Sequence, residues 1–500
     1  MKFSHWGEFL ETSLEKKGLV KKLLLKGIFI SPEELERIDE NKLNIINNKI
    51  NLGEPIDIKS ILSEQNLITE NTNQTTNKGK TKILFNYDRE PKLRDVTDFI
   101  NHFNARYKSL KKILEGKLEL KNTTSISKVL RRQETEQVSV IGLVYEKSLS
   151  QKGNILITLE DPTDSITVVI NKNKTELFNE AQDLVYDEVI GVIGQSGNRV
   201  IFADKIIHPD VPITNGLKKS PDEAYAVFTS DIHVGTKLFL KDDFEKFIAW
   251  LNCEAGTTEQ KDIARKVKYL FIAGDLVEGV GVFPGQEKYL EITDISKQYE
   301  KLAEYLSRIR KDIDIIIIPG NHDALRLSEP QPPVDSGFAK PLKDIENIIF
   351  ASNPSLVNIH SSGSFPGFDV LLYHGASFHY YANNVDSIRL AGGIKRADLI
   401  MKFLLKRRHL APSHQSNLYI PDPDKDYLVI EKVPDFFVTG DIHRVTALNY
   451  KNITLINSST WSRESENQVK MGIEPQTSRA IVVNLHTRGI KIMRFSSEQE

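Results

Sequence analysis

Five apolar runs in the second half of the chain each end on a cluster of Asp, Asn, His and Gly. That order limits the available folds more than any other feature. Ala224 to Phe228 leads into Asp231-Ile232-His233, Tyr269 to Ile272 into Gly274-Asp275, and Ile313 to Ile318 into Gly320-Asn321-His322-Asp323. Val370 to Leu372 leads into Tyr373-His374-Gly375, and Phe436 to Val438 into Gly440-Asp441-Ile442-His443. Short apolar runs alternating with helical stretches read as buried strands of an α/β sheet. Residues just past the carboxyl ends of such strands meet at one edge, where ligands bind. Asp, Asn and His are hard-to-borderline ligands that suit Mn²⁺, Fe or Zn²⁺. A lone Asp-x-His is common without a metal, but five such clusters in order point to a two-metal phosphoesterase. In that chemistry one carboxylate bridges two cations roughly 3.5 to 4 Å apart, which clamp a phosphate and activate water. Asp275 is the expected bridge.

A chain of 500 residues, 40% hydrophobic, is long enough for several cores. Lys plus Arg number 66 against 68 Asp plus Glu, so contact with nucleic acid requires a local basic face. Cys253 is the only cysteine, which excludes intrachain disulfides and thiolate-rich zinc modules and fits a reducing compartment. No apolar run approaches the roughly 20 residues of a membrane helix, so a soluble, cytoplasmic protein without a membrane partner is expected.

The chain reads as multidomain α/β. Residues 1–65 form a small helical module, with Ser31, Pro32 and Glu34 as a helix-start signature. Residues 66–90 form a flexible linker, because Glu70 to Lys82 has almost nothing to bury. Residues 91–213 combine a helix with a β-barrel. Val96, Phe99, Ile100, Phe103, Tyr107, Leu110, Ile113 and Leu114 recur at helical spacing as its apolar face. Five β-rich runs between Val138 and Phe202, with a helix over Asn179 to Val185, fit an OB-type barrel. Tyr145, Phe178, Tyr186 and Phe202 are expected in its core, which favours subunit contact over base stacking. Residues 214–500 form the phosphoesterase domain. Arg389, Lys395, Arg396, Lys402, Lys406, Arg407 and Arg408 read as a helix and turn that either contacts phosphates or is a solvated face.

The ordered motifs resemble the calcineurin-like metallophosphoesterase superfamily. Four stretches narrow the likeness: Gly279-Val280-Gly281-Val282-Phe283-Pro284-Gly285-Gln286-Glu287, Ile318 to Arg326, Glu329-Pro330-Gln331-Pro332, and Lys406 to Pro412. They resemble the small, exonuclease-type subunits of archaeal family D DNA polymerases, over roughly residues 91 to 495. The resemblance implies an αββα sandwich that binds two divalent metal ions, Mn²⁺ first among them, with Mg²⁺, Fe or Zn²⁺ compatible. It implies one metal on Asp231, His233, Asp275 and His443, and a second on Asp275, Asn321, His374 and position 441. His322 is then the catalytic residue at the scissile phosphate and Asp323 its orienting partner. Apart from the resemblance, charge makes Arg326, Arg407 and Arg408 the candidates for holding DNA, and for Arg326, just after His322, a salt bridge inside its own loop is the alternative. The implied reaction is metal-dependent 3′ to 5′ exonuclease hydrolysis for proofreading in DNA replication. The implied partners are the large catalytic subunit, in a heterodimer, single-stranded DNA 3′ ends, and the sliding clamp.

At one position the chain departs from the family pattern, which has Gly-His-x-His where this chain has Gly440-Asp441-Ile442-His443. Asp441 either serves as a harder oxygen ligand or leaves a weakened or silent scaffold subunit. A stand-alone repair nuclease or small-molecule phosphoesterase is the third reading, against which the preceding barrel and the Phe283 to Glu287 stretch both argue.

Overall fold

The computed structural model describes residues 81–496, apart from 91, 133, 214–215, 335–336 and 465–473, together with Ile46. The chain divides into residues 1–78 and 79–500, and the following concerns the second unit. The expected N-terminal helical module and the linker up to residue 80 lie outside the described residues. The end of that linker is a strand. β1 (Lys82–Phe85) pairs with a sheet edge, Ile83 opposite Val357 and Phe85 opposite Leu356. Its short apolar run is enough to add one strand.

Helix α1 (Val96–Glu115) starts on Asp95, whose side chain and that of Asp98 form a reciprocal capping box. Only part of its expected apolar face is covered. Tyr107, Leu110 and Leu114 are buried, whereas Val96 and Ile100 remain 76% and 57% exposed. Near its middle the helix buries polar groups that periodicity does not count, His102 and Arg106.

A closed five-stranded barrel follows, formed by β2 (Gln137–Leu149), β3 (Ile155–Asp161), β4 (Asp164–Ile170), β5 (Val189–Gly197) and β6 (Val200–Ile207). Parallel pairing of β4 with β6 closes it. Alternate residues such as Ile155, Ile157 and Leu159 fill its interior. Helix α2 (Thr175–Gln182) begins four residues before the expected start, because Leu177 and Ala181 are the pair that faces the barrel. Tyr145 and Phe202, expected in the core, are 63% and 52% exposed, and Tyr186 is exposed as well. Phe202 lies between buried Ile201 and Ala203, so strand alternation turns it outward. Tyr145 stands at a break in the β2–β3 register. Phe178 packs partly against the core as expected.

The remainder is built on two six-stranded sheets. β7 (Tyr225–Thr229), β8 (Val267–Ala273) and β9 (Asp314–Ile318) run parallel in one sheet. That sheet continues through β10 (Ile348–Phe350) and, at its other edge, through the later strands at Arg479–Asn484 and Ile490–Arg494. The second sheet contains β1, β11 (Ser355–Ile359), β12 (Phe368–Leu372), β13 (Phe436–Thr439), β14 (Thr446–Tyr450) and β15 (Ile453–Asn457), with β12, β13 and β15 parallel. The sheets pack face to face: Phe228 stacks on Phe271 in its own sheet and on Phe436 of the other, at 5.0 and 5.8 Å. Helices Lys241–Leu251 and Ile295–Leu306 cover the outer face of the first sheet, and Phe378–Asn384 and Ala397–Arg407 that of the second. β9 is buried along its whole length, and after Asp314 it is four consecutive isoleucines, as a strand covered on both faces favours.

A buried ionic knot ties α1 to the loops beyond the last of these helices. Asp426 accepts from Arg106 Nε at 2.6 Å and from His409 Nε2 at 2.8 Å, and Arg106 also donates to the Pro412 carbonyl at 2.6 Å. Burial opposes ionisation of Asp426, but Arg106 and the flanking histidines outweigh it and hold the carboxyl well below its ordinary range. Removing one partner strands a desolvated charge. Asp426→Ala is therefore expected to cost about 3–5 kcal/mol in urea unfolding, and a loss below about 1 kcal/mol would show that the knot is not what docks α1.

Candidate metal centre

The five strand ends converge as their order predicts, although they come from two sheets. β7, β8 and β9 supply Asp231 and His233, Asp275, and Asn321 and His322. β12 and β13 supply His374, and Asp441 and His443. The first two loops are tied together by their backbones: Asp231 N–H donates to the Gly274 carbonyl, and Ile232 and His233 N–H donate to that of Asp275. Asp231, His233, Asp275, Asp441 and His443 all have left-handed φ, between 50° and 68°. Non-glycine residues there cost about 1–2 kcal/mol each, and such strain gathers at functional sites.

Two subsites share Asp275. On one side His233 Nε2 lies 3.7 Å from Asp275 Oδ2 and 3.2 Å from His443 Nε2, which is 3.3 Å from Asp231 Oδ1. On the other, His374 Nε2 lies 3.4 Å from Asp275 Oδ1, 3.1 Å from Asn321 Oδ1 and 3.8 Å from Asp441 Oδ1. The two carboxylate oxygens thus face different ligand sets.

Three features fit this donor set to divalent cations. His374 Nδ1 donates to the Ala273 carbonyl at 2.7 Å, which turns the Nε2 lone pair of the neutral ring into the site. Asp441 Oδ2 is buried with no hydrogen-bond partner. Gly320 passes so close that a Cβ there would lie 2.2 Å from Asp275 Oδ1 and 2.8 Å from His374 Nε2, so only glycine leaves room. Burial pushes His374 down, but Asp275, then Asp231 and Asp441, outweigh it and hold the ring well above its ordinary pKa. Positive charge is favoured at this point.

His322 occupies the rim. Its N–H donates to Asp275 Oδ1 at 2.9 Å, and its Nδ1 donates to the Glu278 carbonyl at 2.8 Å. It lines both a cavity of 210 Å³, shared with Phe283, Tyr289 and His443, and a recess of 630 Å³, shared with Asn321 and Arg326. Burial lowers the His322 pKa, and the carboxylates of Asp275 and Glu278 more than offset it.

Asp323 does not orient His322. Its carboxylate accepts from the N–H groups of Gly320 and Leu276 and from the Tyr299 hydroxyl, so it braces the loop from behind. Burial, with Asp275 nearby, raises it to about 7. The orienting group is Glu278: its carbonyl holds His322, and its carboxylate lies 3.1 Å from His233 Nδ1. Glu278 escaped notice in the sequence, although it stands three residues after Asp275. His379, whose Nε2 is 3.8 Å from Asp441 Oδ2, was missed as well.

The expected DNA-binding arginines are engaged inside the molecule. Arg407 is buried, ion-paired to Glu188 at 3.0 Å and bonded to the Asp183 carbonyl, and so joins the barrel to the sheets. Arg408 is buried too, with its guanidinium on the carbonyls of Ile430 and Glu431. Arg326 donates to the Ser328 and Pro330 carbonyls and lies over the Tyr87 ring. The basic stretch expected as one helix and a turn is divided between the helices Asp386–Leu390 and Ala397–Arg407, with a single helical turn Gly393–Lys395 between them, and its Arg389, Lys395, Arg396, Lys402 and Lys406 each pair with a carboxylate of this chain. Charge was visible in the sequence, but the partners were not.

Residues 226–447 match the family of B-type subunits of DNA polymerases alpha and epsilon. The DNA polymerase II small subunit of Methanothermobacter thermautotrophicus is 40% identical, over 80% of each chain. That of Thermoplasma acidophilum is 33% identical over 97% of this chain and 94% of its own. That of Methanocaldococcus jannaschii is 39% identical over 79% of this chain, which spans 65% of that longer protein. A solved archaeal phosphodiesterase aligns with 54% of this chain and 98% of its own at 14% identity, but its TM-score of 0.26 carries no argument. With a third or more of their residues identical across most of both chains, this chain belongs to the archaeal DNA polymerase II small subunit family.

Proposed function

We propose that the chain is the exonuclease-type small subunit of an archaeal replicative polymerase. It would hydrolyse phosphodiester bonds from the 3′ end of single-stranded DNA while holding a large catalytic subunit that carries out synthesis. The observation that carries this reading is the placement of Asp275 between two ligand sets, with His322 at the rim of both. On this reading the two sheets are a calcineurin-like metallophosphoesterase sandwich and the barrel is an OB-type module, joined by the Arg407–Glu188 pair. Two divalent cations, Mn²⁺ foremost, would draw charge from the phosphate and lower the pKa of the attacking water.

The chain's own residues do the rest. Asp231, His233 and His443 define one side of the site, and Asn321, His374 and Asp441 the other. With Nδ1 fixed on the Glu278 carbonyl, the His322 ring presents Nε2 to a bound phosphate. There it can stabilise developing charge or protonate the departing 3′ oxygen. Asp441 keeps an oxygen within 3.8 Å of His374 Nε2, which supports a working site over a silent scaffold.

Two measurements test this. The purified chain, alone and with its large subunit, should release nucleotides from a 3′-labelled single-stranded oligonucleotide in Mn²⁺. His322→Ala should slow release by about 10²–10³-fold, and Asp275→Ala should abolish it. No release in either form, with recovery in Asp441→His, would identify a silenced scaffold subunit. Mn²⁺ at a hundredfold excess over its Kd should also stabilise the fold by about 2.7 kcal/mol, read as a higher melting temperature. If Asp275→Ala shows the same rise, the ion binds elsewhere.

A further inference from the structure

The Gly279 to Glu287 stretch lies against the site without supplying a ligand, and two buried amides pin its backbone. Gln298 Oε1 accepts from the Gly279 N–H at 2.9 Å, and its Nε2 donates to the Gly279 and Ile292 carbonyls. Gln286 Oε1 accepts from the Val282 N–H at 2.9 Å, and its Nε2 donates to the Glu278 carbonyl. Satisfied buried networks of this kind rigidify what they hold. Gly279 has a left-handed φ of 77° and passes so close to His322 that a Cβ would lie 2.3 Å from its carbonyl oxygen. The loop is thus fixed beside His322.

What the loop brings to the site is aromatic. The Phe283 ring lies 6.4 Å from that of His322 and 6.4 Å from that of Tyr289, within the range over which rings interact. Phe283 and Tyr289 are both half-buried, and neither packs into the core beneath the first sheet. Both wall the 210 Å³ cavity at His322, inclined at 47° so that neither covers the other's face. Aromatic rings held in this way bind unpaired bases of any kind, because every base has a π-face to stack. We infer that the cavity walled by Phe283 and Tyr289 seats the 3′-terminal base of a single strand. This deepens the exonuclease reading above, on which its place in the reaction rests. Pockets that enclose whole drug-sized ligands measure about 300–1,000 Å³, and at 210 Å³ this one has room for a single ring system and none for a base pair. A terminal base must leave its partner to enter, which costs least for a base that is mismatched or already single-stranded. The cavity therefore selects unpaired 3′ ends by size, whichever base they carry.

The test uses the full chain and a single strand ending in 2-aminopurine, whose fluorescence is quenched on stacking, with Ca²⁺ in place of Mn²⁺ so that binding is read without cutting. Wild type should quench a 3′-terminal probe and leave a 5′-terminal probe bright. Phe283→Leu should lose the quenching and bind the strand about 5- to 150-fold more weakly, at the wild-type melting temperature, whereas Phe283→Trp should keep it. In Mn²⁺, wild type should remove a normal 3′ nucleotide with a lower KM than an abasic one, and Phe283→Leu should bring the two together. No quenching in wild type, or quenching unaltered in both Phe283→Leu and Tyr289→Leu, would overturn the assignment and leave the two rings as packing within their loop. Quenching that depends on Phe283, in a chain that releases no nucleotide with any cation, would sink the exonuclease reading and leave the base seat standing.

Discussion

Asp275 is held where the strand ends of two sheets meet, with one carboxylate oxygen toward each ligand set. Carboxylates and imidazoles so close together, away from water, are stable only when positive charge compensates them. Burial opposes ionisation of Asp275, yet His374, His322 and His233 hold its pKa well below the ordinary range. Much of the surrounding architecture serves this crowding. Left-handed backbone at five of the site residues turns the loops after β7, β8 and β13 sharply at the strand end, and Gly320 leaves the second subsite its space.

A site of this kind needs a frame that does not relax. The two sheets supply it, because the aromatic layer around Phe228, Phe271 and Phe436 locks them face to face, and helices cover both outer faces. Interiors packed at crystal-like density have low compressibility and hold such a frame in place. Asp323 continues the bracing from behind: its carboxylate gathers two loop N–H groups and the Tyr299 hydroxyl. Sequence reading placed Asp323 beside His322 because the two are adjacent in the chain. Their side chains bond to different parts of the molecule.

The barrel and the sheets are joined by charges that the sequence displayed without revealing their use. Arg407, Glu188, Arg106 and Asp426 are all buried, and each is matched by an opposite charge from a distant part of the chain. Such pairs add less net stability than apolar packing would, but they tolerate few alternative arrangements. The exposed aromatics of the barrel, Tyr145 and Phe202, leave an outer surface that composition alone assigned to the core.

What the sequence by itself determined is the set of strands and the residues gathered at their ends. Apolar runs with polar termini follow from local periodicity, and burial of both faces leaves a strand like Asp314–Ile318 almost no polar position. The barrel strands were legible for the same reason. Tertiary structure alone decided the pairings between distant residues: that Glu278 and not Asp323 orients His322, that Arg326, Arg407 and Arg408 are satisfied internally, and that His379 faces Asp441. Local pattern reports how a residue sits on its own element. A side chain's partner depends on how elements far apart in the chain are packed, and no local pattern encodes that.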